Sequence, residues 1–410
     1  MNFARFIANR IAFSREKSFG RFIIRLATAA TVLSVAVMIV ALAITNGFQY
    51  TISQKIFSFW GHLRVQHYDA GQLPTAEETA IEKNDTVARI LAASPAIQSV
   101  NTFATRSAIL KTSETIEGVL FKGVEKNYSF NHLQQFLREG RWIHFTDSTY
   151  SSEIVLSSYT AGQLKLKVND PVFIYFIQND ASAPRARKLT VTGIYKTGIE
   201  EYDKLIALGD LRLMQRLNNW KPDEIGGYEI YLKNYKEATK VNDELFDALP
   251  AAWTSRNIKE INPNIFDWLN LQDTTIVLVL IIMTVVAVLN LITCLIILVL
   301  ERTRMIGILK ALGASNTSVQ RVFLYHGGII TVTGIVLGNL LAVFLCWLQQ
   351  RYGLVSLQED MYYISKAEVR LEWWHFVLVD AGTFIICLLI LIIPTLVIRR
   401  IQPVRAIQFR

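Results

Sequence analysis

The chain has 410 residues, of which 51% are hydrophobic and only 19% charged, with a mean hydropathy of +0.29 and a formal net charge of +8. Soluble chains carry about 25% charged residues, so this balance, with several long apolar runs, excludes a disordered, collagenous or fully soluble protein. Nine Pro and 21 Gly are too few for low-complexity linkers, and the chain reads as a membrane protein.

The first 25 residues form a basic segment, with Arg5, Arg10, Arg15, Lys17, Arg21 and Arg25 against Glu16. Four segments are then long enough to cross a bilayer, which takes roughly 20 apolar residues as helix. They cover residues 26–48, 276–300, 327–348 and 376–398. The first contains Ala41-Leu42-Ala43, which looks like a cleavage site. Its apolar run is longer than the ~7–15 residues of a signal-peptide core, so an uncleaved span is the better reading. Residues 49–273 are mostly polar, 301–321 and 349–375 are short connections, and 399–410 form a tail.

The basic residues sort by position. Residues 1–25 carry a net +5, 301–321 a net +3 and the tail a net +4, leaving the rest at −4. Lys and Arg beside spans favour the cytoplasmic side, so both termini and the 301–321 connection are expected inside and the large domain outside. The charge is thus a topology signal and no footprint for nucleic acid. Trp60, Trp268, Trp373 and Trp374 lie near the expected outer ends, where aromatic belts form. Cys294, Cys346 and Cys387 sit in apolar runs as small hydrophobes, and the polar segment has no Cys and needs no disulfide framework.

The polar segment reads as α+β. His62 to Tyr68 alternates like a strand, and Pro74-Thr75 with Glu78 makes a capping-box start. Val87, Ile90 and Leu91 follow as a helical stripe ending near Ser94-Pro95. A second β–α pair comes late: Tyr228, Ile230 and Leu232 alternate, and a helix begins at Asn234 and runs through Val241, Leu245 and Leu249. Strand-like pieces lie between them at 153–156, 172–177, 189–195 and 205–208. The economical arrangement is one β–α domain interrupted by a β-rich insert near residues 118–226. No catalytic or metal motif stands out. His62 and His67 are expected on opposite faces of a strand, and Gly193 and Gly198 have P-loop spacing but are followed by Ile199-Glu200 where Lys and Ser or Thr are required.

The most informative stretch is residues 301–315, ERTRMIGILKALGAS. Met305, Ile308, Leu309 and Leu312 recur at i, i+3, i+4 and i+7, with Glu301, Arg302, Arg304 and Lys310 around them and Gly313 as a natural stop. Such a short amphipathic helix either lies on anionic lipid or docks into a groove of a soluble partner. Periodicity alone does not separate the two.

This stretch resembles the ERTREIGILRALGA segment of FtsX-like, MacB-type permeases of ABC transporters, departing at Met305 where that family has Glu. The order of four spans around a large interrupted outer domain is similar as well. Within the family, Asn46-Gly47-Phe48, the later Phe59-Trp60-Gly61-His62 and the tail Gln402-Pro-Val-Arg-Ala-Ile407 resemble lipoprotein-releasing (Lol) permeases. The resemblance implies a porter-like domain split by a Sabre-like insert, and a cytoplasmic coupling helix over residues 301–321, with Glu301 to Gly313 as the coupling residues. It implies mechanotransmission from a cytoplasmic ABC ATPase dimer that carries the ATP and Mg, with no cofactor and no catalysis in this chain. It also implies a bacterial inner-membrane location, a second permease (a copy or a relative), a lipoprotein substrate and a periplasmic carrier.

Pulling acyl chains from lipid costs ~0.8 kcal/mol per CH₂, so a release device needs an apolar cavity. Val35, Ile39 and Leu42 on the first span and Ile282, Val286 and Leu289 on the second are candidates to line it; they face lipid or other helices on the plainer reading. In carrier-recruiting Lol permeases a hairpin of the insert hooks the carrier. The matching hairpin here has its tip at 178–184, with Pro184, Arg185, Arg187 and Lys188 as candidate contacts, or is an ordinary solvated turn. Gly334 and Gly338 form a GxxxG suited to close helix packing within the chain, with Gly327 and Gly328 nearby. Asp380, near the outer end of the fourth span, reads first as structural and second as functional. The rival functions are a MacB-like efflux permease, which commonly carries a fused ATPase, and an FtsX-type transmembrane activator of a cell-wall hydrolase, whose outer domain is usually smaller.

Overall fold

The computed structural model describes residues 19–68, 79–146, 149–176 and 185–395. They divide into two compact units. One comprises the chain up to Tyr50, Trp268–Ser356 and the chain from Lys366 onward, and the other comprises Thr51–Asp267 and Leu357–Ser365.

Among the described residues, four helices are long and apolar enough to cross a membrane: Phe19–Trp60, Pro263–Glu301, Asn316–Tyr352 and Trp373–Thr395. The first three have 42, 39 and 37 residues, so they outrun the expected spans. At 1.5 Å per residue they reach about 55–63 Å, roughly twice the ~30 Å of a hydrocarbon core. Hydropathy marks only the apolar middle of each; the polar turns beyond it are equally helical but carry no hydropathy signal. Their ends have local causes. The first stops at Gly61, whose φ of +70° suits glycine and whose N–H bonds the Phe57 carbonyl at 2.9 Å. The second opens with Pro263, which costs no hydrogen bond in the first turn. The third is capped by Ser315 and ends at Gly353, with φ +59°.

Within this four-helix unit the expected GxxxG packs against the first helix. A Cβ on Gly334 would lie 2.6 Å from Thr31 Cγ2, and one on Gly338 would lie 2.8 Å from Val35 Cβ. Gly327 similarly admits Leu391 of the fourth helix. Asn290 Nδ2 donates to the Ala27 carbonyl at 3.0 Å, and Asn339 Nδ2 donates to Asp380 Oδ2 at 2.8 Å. Asp380 thus has an interhelical partner on one of its two carboxylate oxygens.

The other unit is built on strands, numbered here in chain order: β1 (Leu63–His67), β2 (Ile81–Glu82), β3 (Ile97–Lys111), β4 (Ile116–Val124), β5 (Leu137–Gly140) and β6 (Glu153–Ser157), then β7 (Pro171–Phe176), β8 (Arg185–Tyr195), β9 (Ile206–Asp210), β10 (Glu224–Ile225), β11 (Gly227–Leu232) and β12 (Trp253–Asn257). The open part runs β12–β1–β11–β3. Beyond it, β3 pairs with β4, which leads through β9, β6, β8 and β7 back to β3. Six strands therefore close on themselves, which removes exposed edges. The 15 residues of β3 serve both parts: Ile97–Phe103 pair with β11, and Ala108–Lys111 pair with β7.

Helices cover this sheet. Asp85–Ala93 buries Val87 and Leu91 and is capped by Asn84, whose Oδ1 accepts from Thr86 N at 2.8 Å and Val87 N at 3.3 Å. The capping box expected at Thr75 and Glu78 lies outside the described residues. The late helix spans Ala238–Ala248, entered through a short 3₁₀ turn that Asn234 caps, and Leu249 is already extended. The segment Leu357–Ser365 belongs to this same unit, held by Lys196–Glu359 at 2.5 Å and by Lys55 Nζ donating to the Tyr363 carbonyl at 2.5 Å.

Candidate functional site

The 301–313 stretch forms a helix over Thr303–Ala311, beginning two residues after the second long helix ends at Glu301. Gly313, with φ +88°, closes it in a Schellman arrangement: Gly313 N–H bonds the Lys310 carbonyl and Ala314 N–H bonds the Leu309 carbonyl, both at 3.0 Å. The anchor is Ile306, fully buried among Val319, Val322 and Phe323 of the third helix, with Gly307 buried beside it. Met305 and Leu309 flank that contact half-buried.

The rest of the predicted stripe faces outward. Ile308 is 45% exposed and Leu312 79% exposed. The helix is therefore apolar on two sides, one spent on anchorage and one open. Glu301 and Arg304 are exposed, and Arg302 and Lys310 are half-buried; a surface depression of about 330 Å³ lies between Glu301, Arg304 and Ile308. Ile306 was missed by periodicity because it falls off the i, i+3, i+4, i+7 series.

The two motifs after the first span have distinct surroundings. In the four-helix unit, Asn46 Nδ2 lies 3.3 Å from His375 Nε2, and Phe48 meets Trp268 edge-on at 5.4 Å. Gly47 has no room for a side chain, since a Cβ would sit 2.3 Å from the Glu368 carbonyl oxygen. Arg370 N–H bonds the Ala43 carbonyl at 3.0 Å, so the segment before the fourth helix is stitched to the first.

In the strand-built unit, Phe59, Trp60 and His62 sit over a buried polar cluster. Lys122 of β4 and Glu229 of β11 are both wholly buried and 2.5 Å apart. The Lys122 ammonium also donates to the Phe59 carbonyl and lies 4.5 Å from the centre of the Trp60 ring. The Arg64 guanidinium also lies over that ring, 4.3 Å from its centre. Tyr231 Oη lies 3.0 Å from His132 Nε2 and donates to the Ser58 carbonyl at 3.2 Å. His62 Nδ1 accepts from Leu232 N–H at 2.8 Å. Burial pushes His62 down to about 4, and burial together with the Lys122 charge does the same to His132. Lys122 and Glu229 lie 107 positions apart on separate strands, so no local pattern announces them.

β7 and β8 form an antiparallel hairpin, from Phe176 opposite Arg185 to Pro171 opposite Thr190. Its tip and Pro184 lie outside the described residues. Arg185 is committed within the chain, donating to the Leu217 carbonyl at 2.9 Å and to Asn219 Oδ1 at 2.8 Å. Arg187 bonds the Ala186 carbonyl at 2.8 Å, while Lys188 is exposed.

The six cavity candidates are not brought together in one chain. Val35, Ile39 and Leu42 are buried against Ile276, Ile335, Ala342 and Val379, because the glycines of the third helix let it approach that face. Ile282, Val286 and Leu289 face outward at 47%, 45% and 58% exposure.

Four apolar helices, a polar α+β domain inserted after the first, and a short surface helix between the second and third define an ABC-transporter permease architecture. The model of the FtsX-like permease C-terminal domain matches residues 277–403, and that of the MacB-like periplasmic core domain matches residues 26–245. The chain belongs to this FtsX/MacB family of permeases. It is similar to the lipoprotein-releasing system transmembrane protein LolC of Xylella fastidiosa (strain 9a5c), at 24% identity over 409 residues and 96% of each chain. It is similar also to LolE of Haemophilus influenzae, at 25% identity over 423 aligned positions and the full length of both. Among solved structures, the periplasmic region of MacB from Actinobacillus actinomycetemcomitans is similar at 15% identity and a TM-score of 0.35, over 50% of this chain and 91% of that one.

Proposed function

We propose that the chain is the permease half of a transporter that releases lipoproteins from the inner membrane to a periplasmic carrier, driven by ATP hydrolysis on a separate ABC ATPase dimer. The observation that carries the reading is end-to-end similarity to LolC and LolE, across spans, polar domain and coupling segment alike. The open face of the 303–311 helix supports it: Ile308 and Leu312 offer an ATPase subunit an apolar ridge, with Arg304 and Glu301 beside it for ion pairs.

Extraction of an acyl chain of ~15 methylenes costs about 12 kcal/mol, so the cargo must pass from lipid to an equally apolar surface. The Ile282, Val286 and Leu289 stripe supplies one, facing a second permease across the cavity; Val35, Ile39 and Leu42 brace the first helix behind it. The basic segments support a cytoplasmic side for both termini and the coupling helix. The inclusion of Leu357–Ser365 in the same unit as the polar domain supports a common, periplasmic side for both. Arg187, Lys188 and the hairpin tip are the proposed contact for the carrier.

The test is to change Leu312 to Asp, and separately Ile308, in the tagged full-length chain. The expected result is loss of the co-purifying ATPase and of lipoprotein release, with the chain still inserted and folded. ATPase retained with both variants would refute the docking helix. ATPase co-purifying with a cell-wall hydrolase or an outer-membrane channel, and no lipoprotein, would refute the release function.

A further inference from the structure

We propose that the groove between the third and fourth helices binds one acyl chain of an anionic phospholipid, with the headgroup held at Arg321. Arg321, Leu324, Gly328, Ile329 and Val332 recur along one face of the third helix, and Phe384 and Leu388 of the fourth form the opposite wall. The face is distinct from the one that carries Gly334 and Gly338 inward to the first helix.

The two adjacent glycines do opposite things. Gly327 brings the helices together, since a Cβ there would lie 2.7 Å from Leu391 Cδ1. Gly328 leaves them apart on the outer side, where the nearest atom to a Cβ would be Leu388 Cδ2 at 4.0 Å. The missing side chain is the floor of the groove.

Its size selects the occupant. The volume is about 550 Å³. From Arg321 to Val332 the helix rises about 17 Å at 1.5 Å per residue, the reach of one extended acyl chain. The walls are apolar along that length, and charge enters only at the end.

Arg321 is exposed at that mouth, with the Tyr325 ring 42% exposed beside it, and among the described residues no carboxylate pairs with Arg321. A cation at one end of a chain-length apolar groove is the complement of a phospholipid with a negative headgroup. The inference is independent of which cargo the permease moves.

The experiment places the full-length chain, with its co-purifying partners, in nanodiscs of equal phosphatidylglycerol and phosphatidylethanolamine. Each disc carries a trace of one or the other lipid bearing an acyl-chain diazirine. After irradiation, labelled peptides are mapped by mass spectrometry. Labelling is expected on the segments holding Val332 and Phe384, with phosphatidylglycerol favoured about fivefold, the preference one basic residue gives an anionic headgroup. Arg321→Gln should abolish the preference and keep the label. Gly328→Leu should fill the floor and remove label from those two segments alone. Equal labelling by both lipids in the unaltered chain, label unaffected by Gly328→Leu, or cross-links from these positions to another polypeptide would each overturn the proposal. Should Gly328→Leu fail to insert, the headgroup preference and its loss in Arg321→Gln decide the matter.

Discussion

Lys122 and Glu229 give the sharpest quantitative test of the polar domain. Both side chains are wholly buried, and among the described residues neither Glu229 oxygen has a hydrogen-bond partner beyond the Lys122 ammonium. Lys122→Met leaves the buried carboxylate without its ammonium partner. Removing one member of such a pair costs about 3–5 kcal/mol, or about 10 °C of melting temperature for a domain of this size. Glu229→Gln should cost less, because the stranded ammonium keeps the Phe59 carbonyl and the face of Trp60. The double change Lys122→Met with Glu229→Leu should recover most of the loss, since a buried pair and an apolar pair of similar volume differ little. The assay is thermal unfolding of the detergent-solubilised chain followed by limited proteolysis of the polar domain, run as a double-mutant cycle. A cost below about 1 kcal/mol for Lys122→Met, or strictly additive losses in the double variant, would refute the reasoning.

The histidines add a pH dependence of known sign. His62 and His132 are held near 4 in the fold against a usual 6.5. The unfolded chain therefore takes up protons that the fold refuses. Their contribution is intact above pH 6.5 and is lost as pH falls toward 4, amounting to about 2 kcal/mol for each histidine at pH 5. Melting at pH 7 and pH 5 measures it, and His132→Gln should remove about half of the difference.

Gly338→Ala should destabilise the four-helix unit by about 1–3 kcal/mol through overlap with Val35. Gly382→Ala, whose Cβ would meet nothing within 4 Å, should be neutral or stabilise by up to about 1 kcal/mol. Detergent melting of the two variants side by side makes the comparison; equal losses would contradict the packing described.

Much of this architecture is legible in the sequence because its signals are local. Four apolar runs mark the spans, Gly313 marks the end of the surface helix, and Gly334 and Gly338 mark a close crossing. The insert's strands at 153–157 and 206–210 lie within a residue or two of their expected places. By contrast, β3 leaves no trace in the alternation pattern, because its two halves belong to different parts of the sheet and its buried face changes along the strand. Periodicity in the 303–311 helix finds the open face and overlooks Ile306, since a helix with apolar residues at 305, 306, 308 and 309 satisfies more than one stripe. Arg185 reads as a free basic residue until Leu217 and Asn219, more than thirty positions away, are seen to claim it.

The pairing of β1 also bears on biogenesis. Leu63–His67 lies between β11 and β12, so neither neighbour exists until residues 227–257 have been made. At 5–20 residues per second, synthesis leaves that strand without partners for roughly 10–40 s. The closed six-strand ring, whose members all lie between residues 97 and 210, can assemble in the interval. The strand order thus lets the ring close first, while the open sheet can be completed only by the chain that leads directly into the second span. A chaperone or protease acting during that wait would meet β1 as an open edge.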